Sequence, residues 1–125
     1  LAERVDAADA YVVITPECNH SFPAALQHFI DLHRSEWEAK PVGFVSYSGA
    51  GGGLRAVEQL RLVFAELHRA TVRDVVSFHD AWDHFGENGS AHDENGAVGA
   101  AKVLLDQPAW WAKALHTARA QHPYR

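Results

Sequence analysis

The chain is 125 residues long, 47% hydrophobic and 22% charged, with a formal net charge of -5 and a pI near 5.9. These values fit one globular domain that buries its own core without disulfides or metals, and they exclude the basic footprint of a nucleic-acid binder. No apolar run is long enough to span a bilayer, no signal-like region opens the chain, and the single Cys18 fits a reducing compartment, so no membrane partner and a cytoplasmic location are expected.

Residues Leu1 to Ala8 form a short helical segment. Its opening, Leu1-Ala2-Glu3-Arg4-Val5 in a sequence without methionine, reads as the end of a helix rather than a protein start. Ala10-Tyr11-Val12-Val13-Ile14-Thr15 is a continuous apolar, β-branched run stopped by Pro16, the pattern of a strand buried on both faces. The polar loop Pro16-Glu17-Cys18-Asn19-His20-Ser21 follows, and Ser21 ahead of Pro23 is a start signal for a helix reaching about His33. Lys40-Pro41 leads into a second strand, Val42 to Tyr47, and then into the glycine-rich loop Ser48-Gly49-Ala50-Gly51-Gly52-Gly53. The helix after it repeats Leu54, Val57, Leu60, Phe64 and Leu67 at helical spacing, with Arg55, Glu58, Arg61 and Glu66 left for solvent.

Val72 to Phe78 is a third strand, and Arg73 and Asp74 place it near a sheet edge. His84 to Gly96 is polar and glycine-rich, which predicts a mobile loop over about 84–96. A terminal helix over about 97–120 is predicted to kink, or to break and restart, at Pro108. The alternation of strands and helices predicts a single α/β domain with a parallel sheet, helices on both faces and right-handed crossovers. Ligands gather at the carboxyl ends of such strands, so loops 16–21 and 48–53 are expected to line one crevice.

Thr15-Pro16-Glu17-Cys18-Asn19-His20-Ser21-Phe22-Pro23-Ala24-Ala25-Leu26 resembles the T-P-E-Y-N-H-S-x-P-x-x-L signature of NADPH-dependent FMN reductases. The likeness continues through Lys40-Pro41-Val42-Gly43, Tyr47-Ser48-Gly49 and Gly52-Gly53-Leu54-Arg55-Ala56. The resemblance implies a flavodoxin-like fold, FMN as cofactor and NAD(P)H as co-substrate. Hydride would pass through the flavin to a small-molecule electron acceptor such as a free flavin, a quinone or an azo compound. It also implies that Pro16, Glu17, Cys18, Asn19, His20 and Ser21 pack beside the isoalloxazine ring, while Tyr47, Ser48 and Gly49 bind its other edge. A homodimer or homotetramer is implied as well, with helix 23–33 and the Trp37 region as candidate interface.

The chain departs from the family in two places. Cys18 stands where the family has tyrosine, which removes an aromatic wall from the pocket. The strand, phosphate loop, helix and second strand that open the family's fold have no counterpart here, so the sheet is expected to lack its first two strands. In the order 2-1-3-4-5 the strands present would be the third, fourth and fifth, with an unpaired edge on the third.

Simpler readings stand beside these. Glu17, Asn19, His20 and Ser21 suit an ordinary turn that satisfies backbone groups. The glycine loop lacks the last glycine of a dinucleotide fingerprint and the Gly-Lys-Ser/Thr ending of a P-loop. His79, Asp80, Asp83 and His84 are the densest metal-ligating cluster but lack a zinc spacing, and Cys18 beside His20 lacks the third group that orients a nucleophilic pair. Trp37, Trp82, Trp110 and Trp111 read as core or interface residues. Two functional alternatives compete with a reductase: a flavodoxin-type electron carrier, and a cofactor-free homologue with an interaction role.

Overall fold

A computed structural model describes residues 1–124. Its elements run α1 (Ala2–Ala7), β1 (Tyr11–Pro16), α2 (Ala24–Asp31), β2 (Pro41–Tyr47), α3 (Leu54–Glu66), β3 (Ala70–Phe78) and α4 (Glu94–Gln121), with short 3₁₀ turns at Ser35–Trp37 and Ala81–Asp83. The three strands form one parallel sheet in the order β1-β2-β3, flanked by helices in the α/β, flavodoxin-like manner.

Strand alternation divides the core into two layers. Val42 and Phe44 point from β2 into the larger one, where Val57, Leu60 and Phe64 of α3 meet Ile30 of α2, Val5 of α1 and Trp37. Val72 and Val76 of β3 point the other way and pack on Leu104 of α4. Gly43 sits between them: a Cβ there would stand 3.1 Å from Leu104 Cδ1, so the missing side chain is what lets α4 settle on β2.

Trp37 is 3% exposed and meets Tyr11, Phe29 and Phe64 edge-on, at ring separations of 4.7, 5.8 and 5.7 Å. It is therefore a core residue and offers no surface to a partner subunit. The Arg69 guanidinium lies over Tyr11 and Trp37, 4.5 and 5.1 Å from the ring centres, and donates to the Lys40 carbonyl. Burial pushes that group down to about 10, partly opposed by hydrogen bonding to Tyr11.

Four expectations are corrected. β1 is not buried on both faces: Tyr11, Val13 and Thr15 face the larger core, but Val12 and Ile14 are 39% and 68% exposed. The reason is placement, because α4 packs over β2 and β3 and leaves the same face of β1 uncovered. Ser21 does not cap α2; Pro23 is the N-cap, and the Ser21 hydroxyl donates to Gln59 of α3 instead. α4 begins at Glu94, where the Asp93 carboxylate accepts from the Gly96 amide, rather than near Ala97. It also runs unbroken through Pro108, which is buried. The segment before α4 is tied by Gly86 N–H to Ser90 carbonyl and His92 N–H to His84 carbonyl, each at 2.8 Å.

Candidate functional site

The register brings the three strand ends level, pairing Pro16 with Tyr47 and Tyr47 with Phe78. Loops 17–21, 48–53 and 79–83 therefore emerge side by side at the carboxyl edge of the sheet. Backbone bonds continue the ladder outward: Glu17 N–H donates to the Tyr47 carbonyl and Ser48 N–H to the Phe78 carbonyl, both at 3.2 Å.

The first loop is a two-residue turn. Cys18 and Ser21 exchange both backbone hydrogen bonds, at 2.8 and 3.0 Å, and Asn19 and His20 between them have φ of 50° and 71°. Two successive positive φ values are the type I′ arrangement. Among the described residues, neither the Asn19 nor the His20 amide meets an acceptor. Cys18 is exposed, with a free thiol.

The Glu17 side chain points inward and is only 6% exposed. Its Oε1 accepts from Arg55 Nη1 at 2.7 Å and its Oε2 from the Arg55 backbone N–H at 3.3 Å. Arg55 is the second residue of α3, so a carboxylate from another loop caps this helix, whose own N-cap, Gly53, has no side chain to do so. The Arg55 hydrogen bond holds the Glu17 carboxyl below its ordinary 4.5, against the opposing effect of burial. Four positions further along the same helix face, Gln59 holds the His20 carbonyl and the Ser21 hydroxyl.

The second loop folds back on its own strand. The Gly52 carbonyl accepts both the Ser46 and the Ser77 hydroxyl at 2.8 Å, and Gly53 lies at φ 81°. A Cβ on Gly51 would stand 3.5 Å from Glu17 Oε2, so the two loops meet at the Glu17–Arg55 pair, as their order in the sheet predicts. Among the described residues the Gly49, Ala50 and Gly51 amides have no acceptor.

The third loop joins the same crevice, which its residue types alone did not indicate. Asp80 N–H donates to the Gly49 carbonyl and Ala81 N–H to that of Ser48, both at 3.0 Å, while His79 Nδ1 lies 2.8 Å from the Ala50 carbonyl. The ring of Trp82, 68% exposed, leans on Gly49, where a Cβ would approach it to 3.3 Å. Residues of the His79–His84 cluster thus brace the glycine loop. Their position directly after a parallel strand was the signal available in the sequence.

The model of the NADPH-dependent FMN reductase family matches residues 1–83. The chain belongs to this family. An NAD(P)H-dependent FMN reductase of Schizosaccharomyces pombe is 42% identical over 50 residues, which are 40% of this chain and 25% of the relative. A quinone reductase of Pseudomonas putida is 30% identical over 119 residues, 89% of this chain and 62% of the relative. FerB of Paracoccus denitrificans, a flavoenzyme NAD(P)H:(acceptor) oxidoreductase, superposes with a TM-score of 0.61 at 20% identity, covering 93% of this chain and 65% of that one. The chain thus spans less than two-thirds of the length of each of these relatives.

An isoalloxazine ring offers pyrimidine oxygens and ring nitrogens along one edge, and unpartnered amides at 19–20 and 49–51 are the donors such an edge requires. The residues present fit the group.

Proposed function

We propose that this chain contributes the ring-binding part of an FMN-dependent NAD(P)H oxidoreductase acting on small acceptors. The observation that carries the reading is the pair of loops, tied together through Glu17 and Arg55, that leave unpartnered amides side by side at the carboxyl edge of the sheet. Bound there, FMN would accept hydride from a reduced nicotinamide and deliver electrons to a second substrate.

The protein's part is orientation. Amides of Asn19, His20, Gly49, Ala50 and Gly51 fix the polar edge of the ring, with Pro16, Glu17, Ser21, Tyr47 and Ser48 forming the backbone frame that carries them. Cys18 replaces a large aromatic wall with a small thiol, which widens the space above the ring where nicotinamide and acceptor take turns. The acceptor is then a planar molecule such as a quinone, a free flavin or an azo compound, a choice supported by the quinone reductase among the relatives. No helix among the described residues is long and apolar enough to cross a membrane, and a cytoplasmic location suits the exposed free thiol. Self-association is assigned to α2, whose end leaves Leu32 62% exposed.

Titration of FMN with the purified chain, followed by flavin fluorescence, tests the site, and stopped-flow oxidation of NADPH by the loaded protein tests the reaction. Flavin binding without NADPH oxidation would instead favour an electron carrier. Failure to bind both FMN and lumiflavin, which carries the ring without a phosphate, would refute the site.

A further inference from the structure

The Cys18–Ser21 turn closes on itself through two backbone hydrogen bonds, which set its shape but not its tilt toward the glycine loop. The tilt is set from α3. Gln59 Nε2 donates to the His20 carbonyl at 2.8 Å, and Gln59 Oε1 accepts from Ser21 Oγ at 2.6 Å. One carboxamide thereby holds two successive turn residues with opposite polarities, which neither a carboxylate nor an aliphatic chain can do. Its neighbour one helical turn earlier, Arg55, holds Glu17 at the base of the same loop. The turn keeps both Asn19 and His20 at positive φ, a conformation that non-glycine residues seldom adopt, although Asn and His adopt it more readily than most.

We propose that Gln59 is a positioning residue of the flavin site: by fixing the His20 carbonyl and the Ser21 hydroxyl, it aims the free amides of Asn19 and His20 at the isoalloxazine ring. The inference rests on the FMN reading above, and its test separates the two.

Gln59→Glu keeps the side-chain length and an acceptor for Ser21. Ionised, the new side chain sets a carboxylate against the His20 carbonyl; protonated, it regains a donor. The FMN dissociation constant of this variant, read from flavin fluorescence, is expected to be about tenfold weaker than that of the unaltered protein at pH 8. The ratio should fall toward one as the new carboxyl is protonated, at about pH 4. Gln59→Leu, without donor or acceptor, should stay weak at both. Cys18, His20, Glu17 and Arg55 are the charged or titratable groups around the turn and are common to all three proteins, so the ratio reports position 59.

In the flavin-free protein, the backbone NMR signals of Asn19, His20 and Ser21 should follow the titration of the carboxyl group that Gln59→Glu introduces, while those of Val42 to Ser46 stay fixed. Equal FMN affinity of variant and unaltered protein at pH 8 would overturn the proposal, as would turn signals that ignore the titration. If the unaltered protein bound neither FMN nor lumiflavin, the flavin reading would fall and the positioning role with it, while the turn signals would still decide whether Gln59 sets the tilt.

Discussion

Replacing Gly53 by alanine probes the joint between the glycine loop and α3. Gly53 has φ of 81°, and an added Cβ would lie 2.6 Å from Ser46 Cβ and 2.9 Å from the Tyr47 backbone nitrogen. Both neighbours belong to β2, the central strand, and cannot withdraw without disturbing the pairing on either side. The left-handed conformation alone costs alanine roughly 1 kcal/mol, and overlap with fixed atoms adds roughly 1–3 kcal/mol. The expected loss is about 2–4 kcal/mol, a large share of the roughly 5–15 kcal/mol that holds a domain folded.

Gly89 supplies the control, because its φ is 79° yet nothing lies within 4 Å of an added Cβ. Gly89→Ala should lose only the conformational part, about 1 kcal/mol. Urea unfolding measures both: at a slope of roughly 1.5 kcal/mol per molar, the midpoint should fall by about 1.3–2.7 M for Gly53→Ala and by about 0.7 M for Gly89→Ala. Equal losses for the two variants would refute the argument, since contact with β2 would then contribute nothing.

Further outcomes follow from other parts of the molecule. Trp37→Ala should cost about 3–5 kcal/mol in the same unfolding experiment, because it empties the centre of the larger core. The Glu17 carboxyl titrates lower in the folded chain than its ordinary 4.5, so its contribution is complete above 4.5 and is lost as pH falls through the folded value; unfolding followed from about pH 6 down to about pH 3 should show a smaller decline in Glu17→Gln than in the unaltered protein. Leu32→Lys charges the exposed end of α2 and should reduce self-association in sedimentation or light scattering, with stability changed by less than about 0.5 kcal/mol.

Much of this fold was legible because its signals are local. β-branched runs mark the strands, the spacing of Val57, Leu60 and Phe64 marks α3, and the loops that follow parallel strands must lie at one sheet edge. What escaped was non-local. The apolar run through Val12 and Ile14 says that burial is expected, but not which helix covers it, and α4 lies elsewhere. Ser21 before a proline has the pattern of a cap, yet Gln59, distant in sequence, takes its hydroxyl. Pro108 interrupts α4 by rule, yet the helix continues through it with the residue buried. At the site, residue types marked the first two loops, whereas the role of Glu17 became readable only with Arg55 beside it.

The helix that joins these loops has a consequence for motion. Arg55 and Gln59 grip the loop after β1, while Gly53 and the Gly52 carbonyl root the loop after β2 at the start of the same helix. Neither loop can swing aside without breaking contacts shared with the other, so the two open as one cooperative unit, and the hydrogen-bonded amides of Cys18, Ser21, Gly52 and Leu54 should exchange with deuterium at a common opening free energy. The crevice then has no independent lid. A ligand meets a mouth already set, and its arrival should slow exchange in both loops together.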